Sequence, residues 1–276
     1  MKVRRLLCLG MVALLLCSNL PQMEVHAQEI NAEDKVMEMG IGEENERASN
    51  ENVEDYQYIE LEDGTLGITK YSGNDKEIVI PVEINGKNVT SIMFAAFRNC
   101  SNLTSITIPD SVTNIYGFAF LGCNSLIDLN VDADNPRYFC EDGILYDKNK
   151  ATLILCLEGK SGSIIIPDSV TNIDSYAFRD CSSLTNITIP NSVMSIGESA
   201  FRGCSSMQSI IIPGGVKNIG NGTFTSCSSL TSITIPKSVT SIGSSAFWGC
   251  SSLKSITIPE SVTDIGVEVF RKRQIR

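Results

Sequence analysis

The residues whose spacing best suits chemistry are cysteines. The chain holds ten, and six of them (Cys100, Cys123, Cys181, Cys204, Cys227, Cys250) recur at steps of 23 residues within two groups. Regularly spaced thiols can form disulfides in an oxidising compartment, hold zinc, or pack as small hydrophobes. Zinc needs close ligand clusters such as C-x₂-C, and the chain has none. If each repeat is one coil of a stack, equivalent cysteines point the same way. That suits packing better than the roughly 90° torsion of a disulfide. Cys140 and Cys156 lie outside this spacing and are the better placed pair for a disulfide. Asp132, Asp134 and Asn135 are a candidate calcium set, but no EF-hand spacing follows and turn chemistry accounts for them. Catalytic signals are sparse. The single histidine is His26, and no G-x-S-x-G, phosphate-binding loop or motif-placed carboxylate pair occurs. The expectation is a non-enzyme with no catalytic residue, no cofactor and no metal.

The N-terminus reads as a leader. Lys2, Arg4 and Arg5 precede an apolar run of 12 residues, Leu6 to Cys17, and Val25-His26-Ala27 follows with small residues at a cleavage position. Spanning a membrane takes about 20 apolar residues, so the run is too short to be an anchor. Leu14-Leu15-Leu16 lacks the small residue expected before a lipid-bearing Cys17. Residues 1–27 are therefore expected to be a signal peptide, and the mature chain to be secreted or surface-bound and not membrane-spanning. Residues 28–55 carry ten acids against Lys35 and Arg47, with too few apolar residues to offset ordering entropy, and are expected to be a disordered spacer. The formal net charge of −10 disfavours nucleic acid, which needs clustered Lys and Arg.

From Tyr56 the pattern changes. Tyr56–Leu61 and Leu66–Thr69 alternate around Asp63-Gly64, which predicts a hairpin, and residues 56–88 read as an N-terminal cap. Beyond it a 23-residue period dominates. Phe recurs at 97 and 120, then at 178, 201, 224, 247 and 270; Pro recurs at 109, then at 167, 190, 213, 236 and 259. Such a period marks a solenoid, here expected over 89–276. In the repeat from Val239, Leu253, Ile256 and Ile258 place apolar groups on one face of a strand that Pro259 ends, while Val239, Ile242, Ala246 and Phe247 fill the core from the other side and Gly243 permits a tight turn. An irregular unit interrupts the arrays at about 124–163. Its Asp142–Leu155 stretch predicts two strands joined at Asp147–Lys150, a hairpin projecting from the solenoid.

The string S-V-T-x-I-x-x-x-A-F-x-x-C-S-S-L-x-x-I-x-I-P, nearly unbroken in Ser169–Pro190 and Ser238–Pro259, resembles the BspA-type leucine-rich repeat. The strand-turn-strand at Tyr56 and the Asp142–Asp147 segment look like that family too. The resemblance implies a β-rich leucine-rich-repeat solenoid of 23-residue coils, with a parallel sheet on one face and an inserted hairpin. It also implies a secreted or cell-surface bacterial protein of adhesin type, recognising host matrix proteins or bacterial surface partners. The family offers no fixed binding motif to carry over.

Candidate contact residues therefore come from surface positions. Outward strand residues form a polar carpet in which Thr185, Thr188, Gln208, Thr234, Lys254 and Thr257 are candidates and Ile211 is an apolar exception. Threonine is also an ordinary solvent-facing strand residue. Trp248 replaces Arg98, Leu121, Arg179, Arg202 and Thr225 of equivalent positions and is expected to be an exposed contact residue. The partners expected are surface proteins or glycans. The alternative is a structural envelope or matrix protein that self-associates through open solenoid ends, where Val262, Ile265, Val269 and Phe270 are the exposed candidates.

Overall fold

A computed structural model describes residues 53–270. The expected signal peptide and most of the expected spacer lie outside the described residues; the last three spacer residues, Val53–Asp55, form a short 3-10 turn. The hairpin at Tyr56–Glu60 and Leu66–Tyr71 forms as expected. Its second strand already belongs to the solenoid, because Leu66–Tyr71 pairs in parallel with Lys87–Ile92, which pairs in turn with Asn114–Ile115. A second tight hairpin, Glu83–Ile84 with Lys87–Asn88, turns on Asn85-Gly86, both with positive φ. Asn-Gly is the strongest short-range hairpin signal, and it was present in the sequence.

Two parallel ladders run from coil to coil. The expected one joins the Ile-x-Ile segments: Glu77–Val79 to Ser105–Ile108 to Asp128–Val131, Ser161–Ile165 to Ser183–Thr188, and Ser209–Ile211 to Ser232–Thr234. A second, narrower ladder joins two-residue strands such as Asn172–Ile173 with Ser195–Ile196, and Asn218–Ile219 with Ser241–Ile242 and Asp264–Ile265. In-register pairing sets inward apolar residues on their equivalents in the next coil, as Ile173 on Ile196 and Ile210 on Ile233, so one pattern, repeated, fills the interior. Val239, Ile242, Ala246 and Phe247 are buried as expected. Leu253, Ile256 and Ile258 are only half-buried, and Ser255–Ile258 is not in a strand. Gly243 serves packing and not turn conformation. Its φ is not positive, and a Cβ there would lie 2.6 Å from the backbone nitrogen of Asn221; Gly197 and Gly266 meet the preceding coil in the same way.

The phenylalanines form a file. Phe178, Phe201, Phe224, Phe247 and Phe270 stack with centroids 5.2–5.7 Å apart and planes within 14°. Tyr71, Phe97 and Phe120 form a shorter one. Beside them runs a file of thiols. Cys123, Cys204, Cys227 and Cys250 each donate to the carbonyl of a phenylalanine one coil back (Phe97, Phe178, Phe201, Phe224) at 2.9–3.1 Å. Cys181 donates instead towards the carbonyls of Cys156 and Leu157, and its thiol lies beside that of Cys156. All eight cysteines from Cys100 to Cys250 are free thiols.

The irregular unit differs from expectation. The two strands joined at Asp147–Lys150 are present, Ile144–Asp147 and Thr152–Cys156, but a third, Tyr138–Glu141, pairs on the outer edge. The group does not project, because Thr152–Cys156 pairs in parallel with Asn172–Ile173 and joins the second ladder. Ile144 and Tyr146 enter one core cluster and Leu145 the other, so this strand is buried on both faces and divides two apolar interiors. That geometry also overturns the Cys140–Cys156 disulfide. Cys140 pairs with Leu145 and Cys156 with Ile144, on opposite strands and opposite faces.

Two outcomes follow from the files. Replacing Phe224 by Ala removes a ring stacked on both sides and should cost about 3–5 kcal/mol, read as a lower urea midpoint; a change within error would show the file to be incidental. Thiol labelling of the native protein at mildly alkaline pH should find one fast site among these eight cysteines, Cys100. Cys100 and Cys140 are the two thiols among the eight that are not fully buried, and burial pushes Cys140 up to about 12. Cys100→Ser should abolish the fast phase, and equal labelling of Cys140 would contradict the assignment.

Candidate functional site

With the apolar groups turned inward, each coil offers its outward strand positions to solvent. The register sorts the expected contact residues into two columns. Thr185, Gln208 and Lys254 fall in the first. There the threonines are partly committed to the fold: Thr185 Oγ1 donates to the Gly162 carbonyl at 3.1 Å, and Thr231 Oγ1 to Gln208 at 3.0 Å. The same bond recurs from Thr104 to Lys76. A hydroxyl pointing back one coil thus reinforces the backbone ladder, and it explains threonine here without any ligand.

The second column is different. Ile165 pairs with Thr188, and Ile211 with Thr234, while Thr257 is exposed in the equivalent position. Ile165 is 78% exposed and Ile211 69%. From Ile165 to Thr234 the column therefore alternates apolar and hydroxyl groups along the wall, at the strand spacing of roughly 4.8 Å. Sequence reasoning singled out Ile211 and missed Ile165. The signal was available, because Ile164-Ile165-Ile166-Pro167 breaks the Ile-Thr-Ile-Pro pattern just as Ile210-Ile211-Ile212-Pro213 does.

Trp248 departs from expectation in its exposure. It is half-buried, not exposed, and it sits in the turn between Phe247 and Cys250, away from the strand columns. Its backbone is engaged, accepting from Ser226 N–H at 2.7 Å and donating to Ser245 at 3.0 Å. The structure does not bring it together with Thr185, Thr188, Gln208, Ile211, Thr234, Lys254 and Thr257.

The polar groups that could do chemistry are occupied. Asn135 is fully buried and uses its whole amide: Nδ2 donates to Pro109 and Val112, and Oδ1 accepts from the Arg137 and Tyr138 N–H groups. Asp132 Oδ1 accepts from Asp134 N–H at 2.8 Å, an Asx turn. Among the described residues no cluster of three or more His, Cys, Asp or Glu side chains is placed to hold a metal. A cleft of about 210 Å³ at the first coils is lined by Tyr71, Asp75, Arg98, Cys100 and Asn102. Its phenol donates to Asp75 at 3.1 Å, and burial raises the Tyr71 pKa above the ordinary tyrosine value, so it stays protonated at neutral pH. No described helix is long and apolar enough to cross a membrane.

Comparison with known proteins gives the same fold. The model of the BspA type leucine rich repeat region matches in six copies over residues 67–141 and 157–276. No curated protein matches the chain. Among solved structures, a T. pallidum leucine rich repeat protein is 30% identical, with 75% of this chain and 92% of that one covered and a TM-score of 0.51. A leucine-rich repeat protein from Bacteroides ovatus is 27% identical, with 80% and 62% covered and a TM-score of 0.51. A leucine rich cell surface protein from Faecalibacterium prausnitzii is 33% identical, with 81% and 51% covered and a TM-score of 0.41. This chain spans about half to two thirds of the length of the last two. With six matched repeats and a coil-by-coil ladder that follows them, the chain belongs to the BspA-type leucine-rich repeat family.

Proposed function

We propose that the chain is a secreted or cell-surface binding protein of adhesin type, which holds host matrix proteins or bacterial surface partners, proteins or glycans, through the side chains its coils turn outward. The observation that carries this reading is the second strand column, where Ile165 and Ile211 stand exposed between Thr188 and Thr234. Neither isoleucine contributes to the core, and threonine fits the same positions in neighbouring coils. Two isoleucines set two coils apart on an otherwise hydroxyl-lined wall give a partner apolar points of contact. Thr257 continues this column, Thr185, Gln208 and Lys254 flank it, and repetition of weak contacts along the wall supplies avidity. The family, a binding and scaffold fold with cell-surface relatives, supports the same reading. Self-association is a second reading, favoured by Ile265, Val267 and Phe270, which are exposed on the last described coil; Val269, expected to be exposed there, is buried.

Surface plasmon resonance against purified matrix proteins and a glycan array should give saturable binding to at least one. Ile165→Ser with Ile211→Ser should weaken that binding about tenfold or more while leaving the fold intact. Absence of saturable binding to every member would overturn the proposal. Sedimentation velocity across concentration reads the second reading directly: a strict monomer removes it.

A further inference from the structure

The chain contains one labile dipeptide twice, and the fold treats the two copies differently. Asn-Gly occurs at Asn85-Gly86 and at Asn221-Gly222. An asparagine side chain reacts with the backbone nitrogen that follows it when that nitrogen is free and can approach Cγ. A following glycine allows the approach, because no Cβ stands in the way. By sequence the two sites have the same chemistry. Their surroundings separate them.

Asn85-Gly86 is the tip of the hairpin between Glu83–Ile84 and Lys87–Asn88. Both tip residues are exposed and left-handed, with φ of 56° and 73°. A Cβ at Gly86 would meet nothing within 4 Å, so the backbone there faces open space. Among the described residues no group accepts from the Gly86 N–H. Asn85 Nδ2 donates to the Tyr58 hydroxyl at 2.8 Å. That bond holds the nitrogen that would leave, and not the carbon that would be attacked. Bringing Cγ onto the Gly86 nitrogen requires rotation about the Asn85 backbone. A short ladder resists it: Glu83 pairs with Asn88, Ile84 with Lys87, and Val89 N–H donates to the Val82 carbonyl at 2.8 Å. So short a hairpin at the surface opens at low cost.

Asn221-Gly222 lies within the stack, bonded to a coil on each side. Asn221 Nδ2 donates to Glu198 Oε1 one coil back, and Oδ1 accepts from Ser244 N–H one coil on, both at 2.9 Å. The backbone is held in the same way. The Asn221 carbonyl accepts from Ser199 N–H, and Gly222 N–H donates to the Ser244 carbonyl, again at 2.9 Å. The attacking nitrogen, the leaving nitrogen and the side-chain oxygen are all in use. Reaction here requires neighbouring coils to part.

We propose that Asn85 is a site of spontaneous covalent modification in the folded protein, with water as the co-reactant, and that stacking protects Asn221 from the same reaction. The Gly86 nitrogen bonds to Asn85 Cγ. The bond from Cγ to Nδ2 breaks, and Nδ2 leaves with its electron pair and the proton lost by Gly86, as ammonia. Water then opens the five-membered imide at either carbonyl, its hydroxyl staying on carbon and its proton returning to the Gly86 nitrogen or the side chain. Ammonia is exchanged for water, and nothing is oxidised or reduced. One opening leaves an aspartyl residue. The other leaves an isoaspartyl residue, whose backbone is one carbon longer. A two-residue turn has no slack for that carbon. The isoaspartyl form should break the pairing of Ile84 with Lys87, and Ile84 is part of the core. The reaction thus marks and loosens the N-terminal hairpins with time, whatever the wall binds.

The test incubates the full chain at mildly alkaline pH, native and in urea, and follows each site by peptide mapping with mass spectrometry. In the native chain Asn85 should convert at least about tenfold faster than Asn221. In urea the two rates should come within about threefold of each other, because only the fold separates them. The native product at Asn85 should contain both aspartyl and isoaspartyl peptides, which chromatography resolves. Equal native rates, faster conversion of Asn221, or no conversion at Asn85 would overturn the proposal. A preference for Asn85 that persists unchanged in urea would overturn it too, since flanking residues would then be the cause. An aspartyl product alone would point to direct hydrolysis and contradict the imide.

Discussion

Each coil is held by its own copy one period away. Ile pairs with Ile, ring stacks on ring, and the hydroxyls of Thr185, Ser228 and Ser251 donate to carbonyls 23 residues earlier. An isolated coil could bury almost none of its apolar surface and would not offset the entropy of ordering about 23 residues. The period is therefore a physical constraint before it is a sequence pattern. It fixes Gly197, Gly243 and Gly266, where a Cβ would strike the preceding coil. It also fixes the second left-handed position of each turn. Asn99 and Asp180 there are followed one coil on by Gly122 and Gly203, whose missing Cβ leaves room for the preceding side chain.

The irregular unit shows what happens when the copy is missing. Elsewhere the turn N–H groups of Asn99, Asp180, Gly203 and Ser226 each find a carbonyl on the next coil. At Gly122 no such carbonyl is supplied, and the carboxylate of Glu158 takes the bond. At Ile115 the Tyr138 hydroxyl accepts the backbone N–H. Side chains thus replace the acceptors a regular coil would have provided, and the burial this demands raises the pKa of Glu158. Cys156 adds a thiol next to Cys181 at the start of the second array, although it lies outside the 23-residue spacing. The family likeness on either side of the break makes the unit an insertion into the array and not a boundary of it.

Much of this was legible in the sequence because a repeated residue has a repeated environment. Phe201 and Cys204 sit on copies of themselves, so their burial follows from spacing alone. What escaped was whatever depends on a neighbour of different kind. The three-stranded group around Ile144–Asp147 looked like a projecting hairpin because the two-sided burial of Leu145 and Tyr146 is invisible without the flanking coils. Trp248 looked exposed because its equivalents are Arg and Thr, but a large indole at that turn folds back against its surroundings. Ile165 was overlooked although Ile211 at the equivalent position was singled out, since Ile164-Ile165-Ile166-Pro167 breaks the Ile-Thr-Ile-Pro pattern in the same way. Such departures are where binding is proposed, since the shared core constrains them least.

The central claim is that stability resides between neighbouring coils in register, and excision tests it most directly. Deleting residues 202–224, one whole period, joins Phe201 to Thr225 and restores every column. Circular dichroism with urea titration should then show a β-rich chain that unfolds cooperatively. Deleting residues 202–212, about half a period, should abolish that transition. If the half-period deletion unfolds as cooperatively as the whole-period one, or if both fail alike, the coils are not held together by matched columns.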